Sequence, residues 1–305
     1  MMMQMCKITV FTAAYNRGHL IERLYRALQR QTNFDFEWLV IDDGSQDNTP
    51  QLFEQWVQEE NPFPIRFFHQ ENQGLIRTLN RGVQMARGEY LAKIDSDDFV
   101  VDDYMEKALS WLSAIEGNEE IYGVSGLRVQ ENGEPLSGRY PDIPEDPGYV
   151  DATELERKKY HLDTDMSELW RTEVLRQHIF PVWPTEKFAP EQIVFEQIGR
   201  EGLKIRWYSQ PMCNCKYQPG GMTLGSRRLE EQNPMGYAMM YNSKLLLSGS
   251  RWSRFLSAMQ MTALSIYACH PGYLKNSNSP LATILSFPFG VVLSIRRKIQ
   301  YSKVR

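Results

Sequence analysis

The chain has few of the features that mark secreted, metal-clipped or disordered proteins. Of its 305 residues only four are cysteines, and their positions lack the two-plus-two spacing of a zinc site. Such sparse cysteines favour a reduced, cytoplasmic protein. Residues 1–10 contain no apolar stretch long enough for a signal peptide, so secretion is not expected. With 42% hydrophobic and 24% charged residues and no low-complexity tract, the composition is that of a globular protein.

Acidic residues are absent from the last part of the chain. Residues 232–305 hold nine Lys or Arg and no Asp or Glu, so they carry +9 of a net charge of −4, and residues 1–231 carry −13. A cationic tail on an acidic body indicates an anionic surface as its partner, either a membrane or nucleic acid. The tail has no aromatic stacking platform and no recognised nucleic-acid module, which argues against nucleic acid. We therefore predict a catalytic domain over 1–225 and a basic helical extension over 226–305 that is a candidate for docking on membranes.

A hydrophobic run long enough to cross a membrane is also lacking. The uncharged run Leu281–Ile295 has fifteen residues, is interrupted by Pro288 and Gly290, and is followed by Arg296-Arg297-Lys298, whereas a span needs about 20 apolar residues. Three alternatives remain for the tail: docking on the anionic inner face of a membrane, packing on the catalytic domain or a partner, and a true span. One helical face of the preceding segment is predicted to be apolar, comprising Trp252, Phe255, Leu256, Met259, Ala263, Ile266 and Tyr267.

Strand-like and helix-like segments alternate through the first hundred residues. Apolar runs at Lys7–Thr12, Glu37–Ile41, Ile65–Phe68 and Tyr90–Ile94 predict strands, and the segments between them have helical periodicity. This alternation predicts βαβ units and an α/β fold with a mainly parallel sheet flanked by helices.

Two of the predicted strands end in carboxylates. Asp42-Asp43 follows the second strand, and the segment Asp95-Ser96-Asp97-Asp98, called the acidic turn below, follows the fourth. Ligands of open α/β sheets bind at the carboxyl ends of the strands. Mg²⁺ is usually held by one or two carboxylates together with substrate phosphates, so these acids favour a metal and phosphate site. The alternatives are a tight turn at Asp42-Asp43-Gly44-Ser45 and a solvated turn in which Asp98 or Asp102 caps the next helix.

An ordered series of motifs resembles family 2 glycosyltransferases. The series is Phe11-Thr12-Ala13-Ala14-Tyr15-Asn16-Arg17, Val40-Ile41-Asp42-Asp43-Gly44-Ser45, Glu71-Asn72-Gln73-Gly74, Ala86-Arg87-Gly88-Glu89-Tyr90 and Asp95-Ser96-Asp97-Asp98. Many relatives have Pro where this chain has Ala14, a difference that leaves the loop's role intact. The resemblance implies the GT-A fold, a Rossmann-like nucleotide-binding domain that takes a nucleotide-sugar donor, with a UDP-sugar favoured, and a divalent Mg²⁺ or Mn²⁺ ion.

The same resemblance implies roles for individual residues. Thr12 and Tyr15 would line the base pocket, and Asp42 or Asp43 would hydrogen-bond the base or ribose. Asp97 would ligate the metal on the diphosphate, and Asp95 would contact ribose or sugar. The donor site is predicted to comprise Thr12, Ala13, Tyr15, Arg17, Asp42, Asp43, Arg77, Asp95 and Ser96. Arg77 would assist with the phosphates, although a solvated helix face is the alternative.

Sugar transfer also needs a base that accepts the proton of the acceptor hydroxyl. Glu191 lies just after Pro190 and before the apolar helical segment Ile193–Ile198. The family places its base at such a helix start, so Glu191 is the predicted catalytic base. Glu186 is the second candidate, and a purely structural role at the helix N-terminus is the alternative for both.

A loop at Gly220-Gly221 is predicted to close over the donor or to serve as a simple turn.

These residues predict an inverting, metal-dependent glycosyltransferase that acts on a saccharide or lipid-linked acceptor in polysaccharide or glycolipid assembly. A nucleotidyltransferase that makes the activated sugar would need a Gly-rich, basic loop after the first strand, where this chain has Ala13-Ala14-Tyr15-Asn16-Arg17. A non-catalytic scaffold of the same fold would be expected to lack the acidic turn or the base, and both are present.

Overall fold

The computed structural model describes residues 6–162, 165–216, 226–247 and 249–302. The predicted Gly220-Gly221 loop lies outside these residues. Nine strands are assigned: β1 Ile8–Ala14, β2 Phe36–Asp42, β3 Ile65–His69, β4 Tyr90–Lys93, β5 Phe99–Val100, β6 Ile121–Val129, β7 Tyr149–Ala152, β8 Met166–Arg171 and β9 Lys204–Asn214. Ten α-helices accompany them: α1 Glu22–Gln29, α2 Thr49–Trp56, α3 Leu75–Met85, α4 Tyr104–Ser113, α5 Thr172–Gln177, α6 Gln192–Arg200, α7 Ser226–Gln232, α8 Pro234–Leu247, α9 Arg251–Tyr267 and α10 Pro280–Ser302. Two 3₁₀ helices cover Glu154–Tyr160 and Pro271–Asn276.

The first four strands form a parallel sheet in the order β3-β2-β1-β4. All seven residues of β2 are buried, because a parallel sheet with helices on both faces leaves neither face of a central strand in water. All four strands end at one edge, where the backbone N–H of Asp43 donates to the Ala14 carbonyl (2.8 Å) and that of Ile94 donates to the Phe11 carbonyl (3.0 Å). The predicted βαβ half of the fold is confirmed.

The other half of the sheet is mixed. Strand β8 pairs antiparallel with both β4 and β6, and β9 runs parallel to β6 while β5 and β7 pair antiparallel with β9. Strand β8 therefore joins the parallel half of the sheet to the mixed half. This arrangement brings residues of β6 close to the segment that follows β4.

Aromatic side chains fill the core beneath the parallel strands. The Tyr25 ring stacks on Trp56 at a centroid distance of 4.3 Å, and Trp38 meets Phe53 edge to face at 5.2 Å. Gly82 lets α3 approach β1 closely, because a Cβ there would lie 2.3 Å from the Phe11 ring. These contacts hold α1, α2 and α3 against the sheet and so fix the loops at its carboxyl edge.

The chain divides into two compact units. The first comprises Met1–Ile179 and Phe195–Gln218, and the second comprises Phe180–Val194 and Pro219–Arg305. The sheet belongs to the first unit. The second contains the helices α7 to α10 and the segment that precedes α6. The predicted boundary after residue 225 stays a proposal.

Helix α10 runs without a break from Pro280 to Ser302. The uncharged run that contains Pro288 and Gly290 therefore lies within a single helix. Pro288 lies on the exposed side of the helix and Gly290 is buried, so the carbonyl that loses its partner at the proline faces water. Among the described helices, none combines the length and the apolar character that crossing a membrane requires.

Candidate active site

The loop after β1 is tied to the segment between β2 and the start of α2 by three side chains of that segment. The backbone N–H of Asn16 donates to Ser45 Oγ (2.8 Å), that of Arg17 donates to Thr49 Oγ1 (2.9 Å), and that of Gly18 donates to Asp47 Oδ2 (3.0 Å). Short polar side chains at strand ends bond neighbouring backbone in this way. The two loops thus form one rigid rim at the carboxyl edge of the sheet.

Asp42 lies at the end of β2 and is completely buried. Its carboxylate accepts a short hydrogen bond from the Ser45 hydroxyl and another from the Ser45 backbone N–H (3.2 Å). His69 Nδ1, at the end of β3, lies 2.7 Å from Asp42 Oδ2. The His69 ring is more than half exposed, so it is the outer member of the pair.

Asp43 organises the third motif. Its two carboxylate oxygens accept from the Gln70 side chain (2.7 Å) and from the backbone N–H groups of Gln73 and Gly74 (both 2.8 Å). The carboxylate therefore sits at the N-terminal end of α3, where it also complements the helix dipole. Gly44 adopts a φ of +83°, and a Cβ there would lie 2.9 Å from the Asn72 backbone nitrogen, so this turn requires glycine.

The residues predicted to bind the donor differ in their exposure. Tyr15 is 47% exposed at the rim, whereas Thr12 is fully buried and its hydroxyl accepts from the indole N–H of Trp38 (3.2 Å). Ala13 is half-buried and Ser96 is buried in the acidic turn. Arg77 of α3 donates to the carbonyl of Gln73 (3.0 Å), which lies just before that helix. Their contacts with a donor stay predictions.

Arg128 fixes the acidic turn from strand β6, which is separated from β4 by β8 in the sheet. One guanidinium nitrogen lies 3.0 Å from Asp95 Oδ2 and 3.1 Å from Asp98 Oδ2, and Nε donates to the Met166 carbonyl (3.0 Å). On the other side, Lys93 Nζ lies 3.1 Å from Asp95 Oδ1. Two cations therefore hold Asp95 in place before any ligand arrives.

These contacts shift the titration of the turn. Burial would raise the pKa of Asp95, but the positive charges of Lys93 and Arg128 outweigh it and hold that pKa well below its usual range. Burial raises the pKa of Asp98 to about 6, opposed by Arg128 and reinforced by the negative charge of Asp95. The suggested helix-capping role of Asp98 or Asp102 is wrong: Asp98 pairs with Arg128, Asp102 with Arg30, and the residue preceding α4 is Asp103.

Asp97 is the acid of the turn that lies beside Arg17 of the loop after β1. Its side chain is 22% exposed, and Oδ2 lies 3.9 Å from an Arg17 guanidinium nitrogen. Of the described residues, the group with three close metal-ligand atoms is Asp98, Cys213 and Cys215, all buried and within 4.8 Å of one another. Asp97 is not part of that group. One carboxylate at the rim suits Mg²⁺ or Mn²⁺, because such ions take their remaining oxygens from substrate phosphates and water.

The two candidate bases lie in the second unit. Glu191 is half-buried and directly precedes α6, with its carbonyl accepting from the Val194 N–H (3.0 Å). Glu186 is buried, and its two carboxylate oxygens accept from the backbone N–H groups of Met235 and Gly236 (both 2.8 Å) at the start of α8. Burial raises the pKa of Glu186, although those N–H groups oppose the rise. These contacts indicate that Glu186 anchors its own loop to the start of α8.

The loop ahead of Glu191 is held against α8 by further contacts. Asn233 Oδ1 accepts from the backbone N–H groups of Lys187 and Phe188 (both 3.0 Å). A Cβ at Gly236 would lie 2.3 Å from the Phe188 carbonyl oxygen, so glycine allows this close approach. Helix α8 thus supports the segment that ends at Glu191.

We expect Glu186→Gln to lower the free energy of unfolding while most of the turnover remains. One of its two acceptors becomes a donor facing a backbone N–H, which costs about 1–3 kcal/mol for a buried unsatisfied group. Urea unfolding and initial rates measure the two effects. Loss of turnover without loss of stability would instead make Glu186 the base.

Sequence reasoning missed two residues of the site. Arg128 is the one charged residue in the apolar run Ile121–Val129, and a lone charge in a buried strand is the signal that would have found it. His69 follows Phe67-Phe68 at a strand end, but nothing in its surroundings pointed to Asp42, because register decides that contact.

Comparison with known proteins supplies the family. Residues 9–172, more than half of the chain, match glycosyl transferase family 2. The chain therefore belongs to that family, and the resemblance drawn from the motifs is confirmed.

Individual relatives match over about a third of the chain. The putative glycosyltransferase EpsH of Bacillus subtilis is 38% identical over 102 residues, which cover 33% of this chain and 29% of EpsH. Glycosyltransferase GlyG of Streptococcus pneumoniae is 33% identical over 100 residues, which cover 32% of this chain and 33% of GlyG. These alignments thus span about a third of each relative's length.

Solved structures share the fold over nearly the whole chain. S. aureus TarS 1-349 in complex with UDP-GlcNAc has a TM-score of 0.57 at 14% identity and covers 98% of this chain and 92% of its own. The mannosyltransferase PcManGT of Pyrobaculum calidifontis, in complex with GDP-Man and Mn²⁺, has a TM-score of 0.56 at 16% identity and covers 97% and 88%. The predicted α/β fold of GT-A type with a C-terminal helical extension is confirmed.

Proposed function

We propose that this protein is an inverting glycosyltransferase that moves a sugar from a nucleotide-diphosphate sugar to a hydroxyl of a saccharide or lipid-linked acceptor. The observation that carries the proposal is the acidic turn, in which Asp95 and Asp98 are clamped by Arg128 while Asp97 reaches the rim beside Arg17. Charged groups that are already held in position need little rearrangement when charge develops during the reaction.

The donor would bind at the carboxyl edge of the parallel strands. Tyr15 offers an exposed ring for the base, and the rim of Asp42, Asp43 and their partners fixes the loop that carries it. Arg17 lies where it would meet the diphosphate, and Asp97 would hold Mg²⁺ or Mn²⁺ there. When bound, that ion neutralises the negative charge that builds on the leaving diphosphate. A UDP-sugar is the favoured donor because proteins of this fold have been solved with UDP or UDP-GlcNAc.

Glu191 would accept the proton of the acceptor hydroxyl as its oxygen attacks the anomeric carbon. Attack opposite the leaving group inverts the anomeric centre in one displacement, so no carboxylate nucleophile is required. The position of Glu191 at the start of α6 supports this role, since a carboxylate on a supported loop is held in one orientation.

Two alternatives are less well supported. A nucleotidyltransferase would need a glycine-rich, basic phosphate loop after β1, and that loop contains Ala13, Ala14 and Tyr15. A nucleotide-binding scaffold would not need Arg128 to hold Asp95 and Asp98 in place with Asp97 beside Arg17. The four cysteines are free thiols, which supports a cytoplasmic location. A role in bacterial-type polysaccharide or glycolipid assembly is part of the proposal, and EpsH and GlyG, both glycosyltransferases by name, come from bacteria.

A donor screen tests the proposal. UDP-, GDP- and TDP-sugars are incubated with the full chain, with Mn²⁺ and with a chelator, and nucleotide release is followed. We expect release from one donor class that falls at least roughly 100-fold when the metal is removed, since the ion supplies several kcal/mol of transition-state stabilisation. Release of pyrophosphate from a nucleoside triphosphate and a sugar phosphate would support the nucleotidyltransferase instead, and no turnover with any donor would support the scaffold.

A further inference from the structure

Helix α10 has its polarity reversed relative to an ordinary surface helix. Its buried side is formed by small or polar residues, namely Thr283, Ser286, Gly290, Ser294, Arg297 and Tyr301. Its outward side is apolar and includes Leu281, Ile284, Leu285, Val292, Ile295 and Ile299, each more than half exposed. A helix that packs on a soluble core has the opposite arrangement.

The buried side is satisfied by polar contacts and close packing. The Arg297 guanidinium donates to Gln260 (2.7 Å) and Glu230 (3.3 Å), and the Tyr301 hydroxyl bonds Glu230. A Cβ at Gly290 would lie 2.6 Å from the Thr262 side chain, so α9 and α10 approach each other closely there. Helices in lipid associate through small and polar residues in this way, because their apolar side chains gain nothing by turning inward.

Helix α9 extends the outward apolar surface. Trp252 and Leu256 are exposed, and the Trp252 ring stacks on Phe255, which meets Phe289 of α10 edge to face at 5.5 Å. Toward its other side α9 buries Met261 and Leu264 in the core of the second unit. An exposed tryptophan beside an apolar strip is typical of residues that lie at the boundary of a bilayer.

Cations flank this surface, and helices α9 and α10 themselves contain no Asp or Glu. Arg251 and Arg254 lie in the first turn of α9, and Arg296 and Lys298 lie beside Ile295 and Ile299 on α10, all exposed. Residues 232–305 contain no Asp or Glu, so a surface with these residues attracts anions. Lipid headgroups supply that charge, and each basic residue near an anionic leaflet adds about 1 kcal/mol.

We propose that the outward faces of α9 and α10 form a binding surface for an anionic lipid bilayer, with the helices lying in the plane of the headgroups. Helix α10 has 23 residues and is therefore about 35 Å long, which provides an extended apolar edge. Apolar insertion together with adjacent basic charge gives the two signals that stable attachment needs. This proposal is independent of the sugar-transfer activity.

Flotation of the full chain with vesicles of phosphatidylcholine, with and without phosphatidylglycerol, tests it. We expect binding to the anionic vesicles that weakens as salt is raised. An outward-face variant, Ile284→Ser with Leu285→Ser and Val292→Ser, should lose at least roughly tenfold in affinity. A charge variant, Arg296→Gln with Lys298→Gln, should lose roughly 30-fold on anionic vesicles and little on neutral ones.

Val57→Ser is the matched control, since Val57 is 48% exposed at the end of α2 in the first unit. It should bind vesicles as the unchanged chain does. Equal affinity for neutral and anionic vesicles, or binding that survives both variants, would overturn the proposal. So would a dimer in sedimentation equilibrium that the outward-face variant dissociates while vesicle binding is absent, because the surface would then cover a second copy of the chain.

Discussion

Replacing Glu191 by Gln is expected to lower the rate of transfer to an acceptor by about 10²- to 10⁴-fold, the usual contribution of a positioned general base. The amide keeps the size of the side chain but cannot take a proton. Donor affinity should change little, because the base acts on the acceptor hydroxyl. Steady-state kinetics with the donor found in the screen, together with nucleotide titration, separates the two quantities.

Glu173→Gln provides the control for that substitution. Glu173 lies in the first turn of α5 and forms an exposed pair with Arg176 at 3.6 Å, so it shares the helix-start position without the proposed role. Its loss should leave turnover nearly unchanged, since exposed pairs contribute about 0–1 kcal/mol. If Glu191→Gln also leaves turnover unchanged, Glu191 is not the base.

The substitution Asp97→Asn is expected to have the second large effect on the rate of transfer. An amide is a poorer ligand for a hard divalent ion, so we expect a rate loss of at least roughly 100-fold, equal to about 3 kcal/mol of lost stabilisation of the departing diphosphate. Folding should be preserved, because Asp97 is partly exposed and its nearest cation, Arg17, is 3.9 Å away. Rates with excess Mn²⁺ and the unfolding midpoint measure both parts.

Asp102→Asn is the matched control for this acid. Asp102 is exposed and pairs with Arg30 at 3.0 Å, five residues beyond Asp97 in the same acidic segment. We expect wild-type turnover from it. Partial recovery of the Asp97→Asn turnover rate at high Mn²⁺ would support a weakened metal site. If the Asp97→Asn variant instead turns over at the full rate without added metal, Asp97 is not the ligand.

The parallel half of the sheet could be predicted from the sequence because each of its strands is a short apolar run between helical segments. Both acidic ends were placed on one edge by topology alone, and the contacts across that edge bear this out. Strand β8 was not foreseen, since Met166-Ser167-Glu168-Leu169-Trp170-Arg171 forms neither a continuous apolar run nor a strict alternation of apolar and polar residues. Its pairing with β4 and β6 depends on register, which no local pattern specifies.

The clamp on the acidic turn and the reversal of the C-terminal helices could not be predicted. Arg128 reaches Asp95 across strands that are more than thirty residues apart in sequence, a contact created by the fold. The sequence predicted an apolar face for α9 but not its direction: Trp252 and Leu256 are exposed while Ser257 and Thr262 are buried. Periodicity locates an apolar face but does not say whether a protein core or a lipid covers it.

Binding of UDP measured by calorimetry with and without Mn²⁺, for the unchanged chain and for Asp97→Asn, tests the central claim most directly. The claim is that the partly exposed carboxylate of Asp97, which the acidic turn holds beside Arg17, brings the metal to the diphosphate. We predict that Mn²⁺ tightens UDP binding to the unchanged chain and has little effect on the variant. Equal tightening in both proteins, or UDP binding by the unchanged chain that ignores Mn²⁺, would contradict the account.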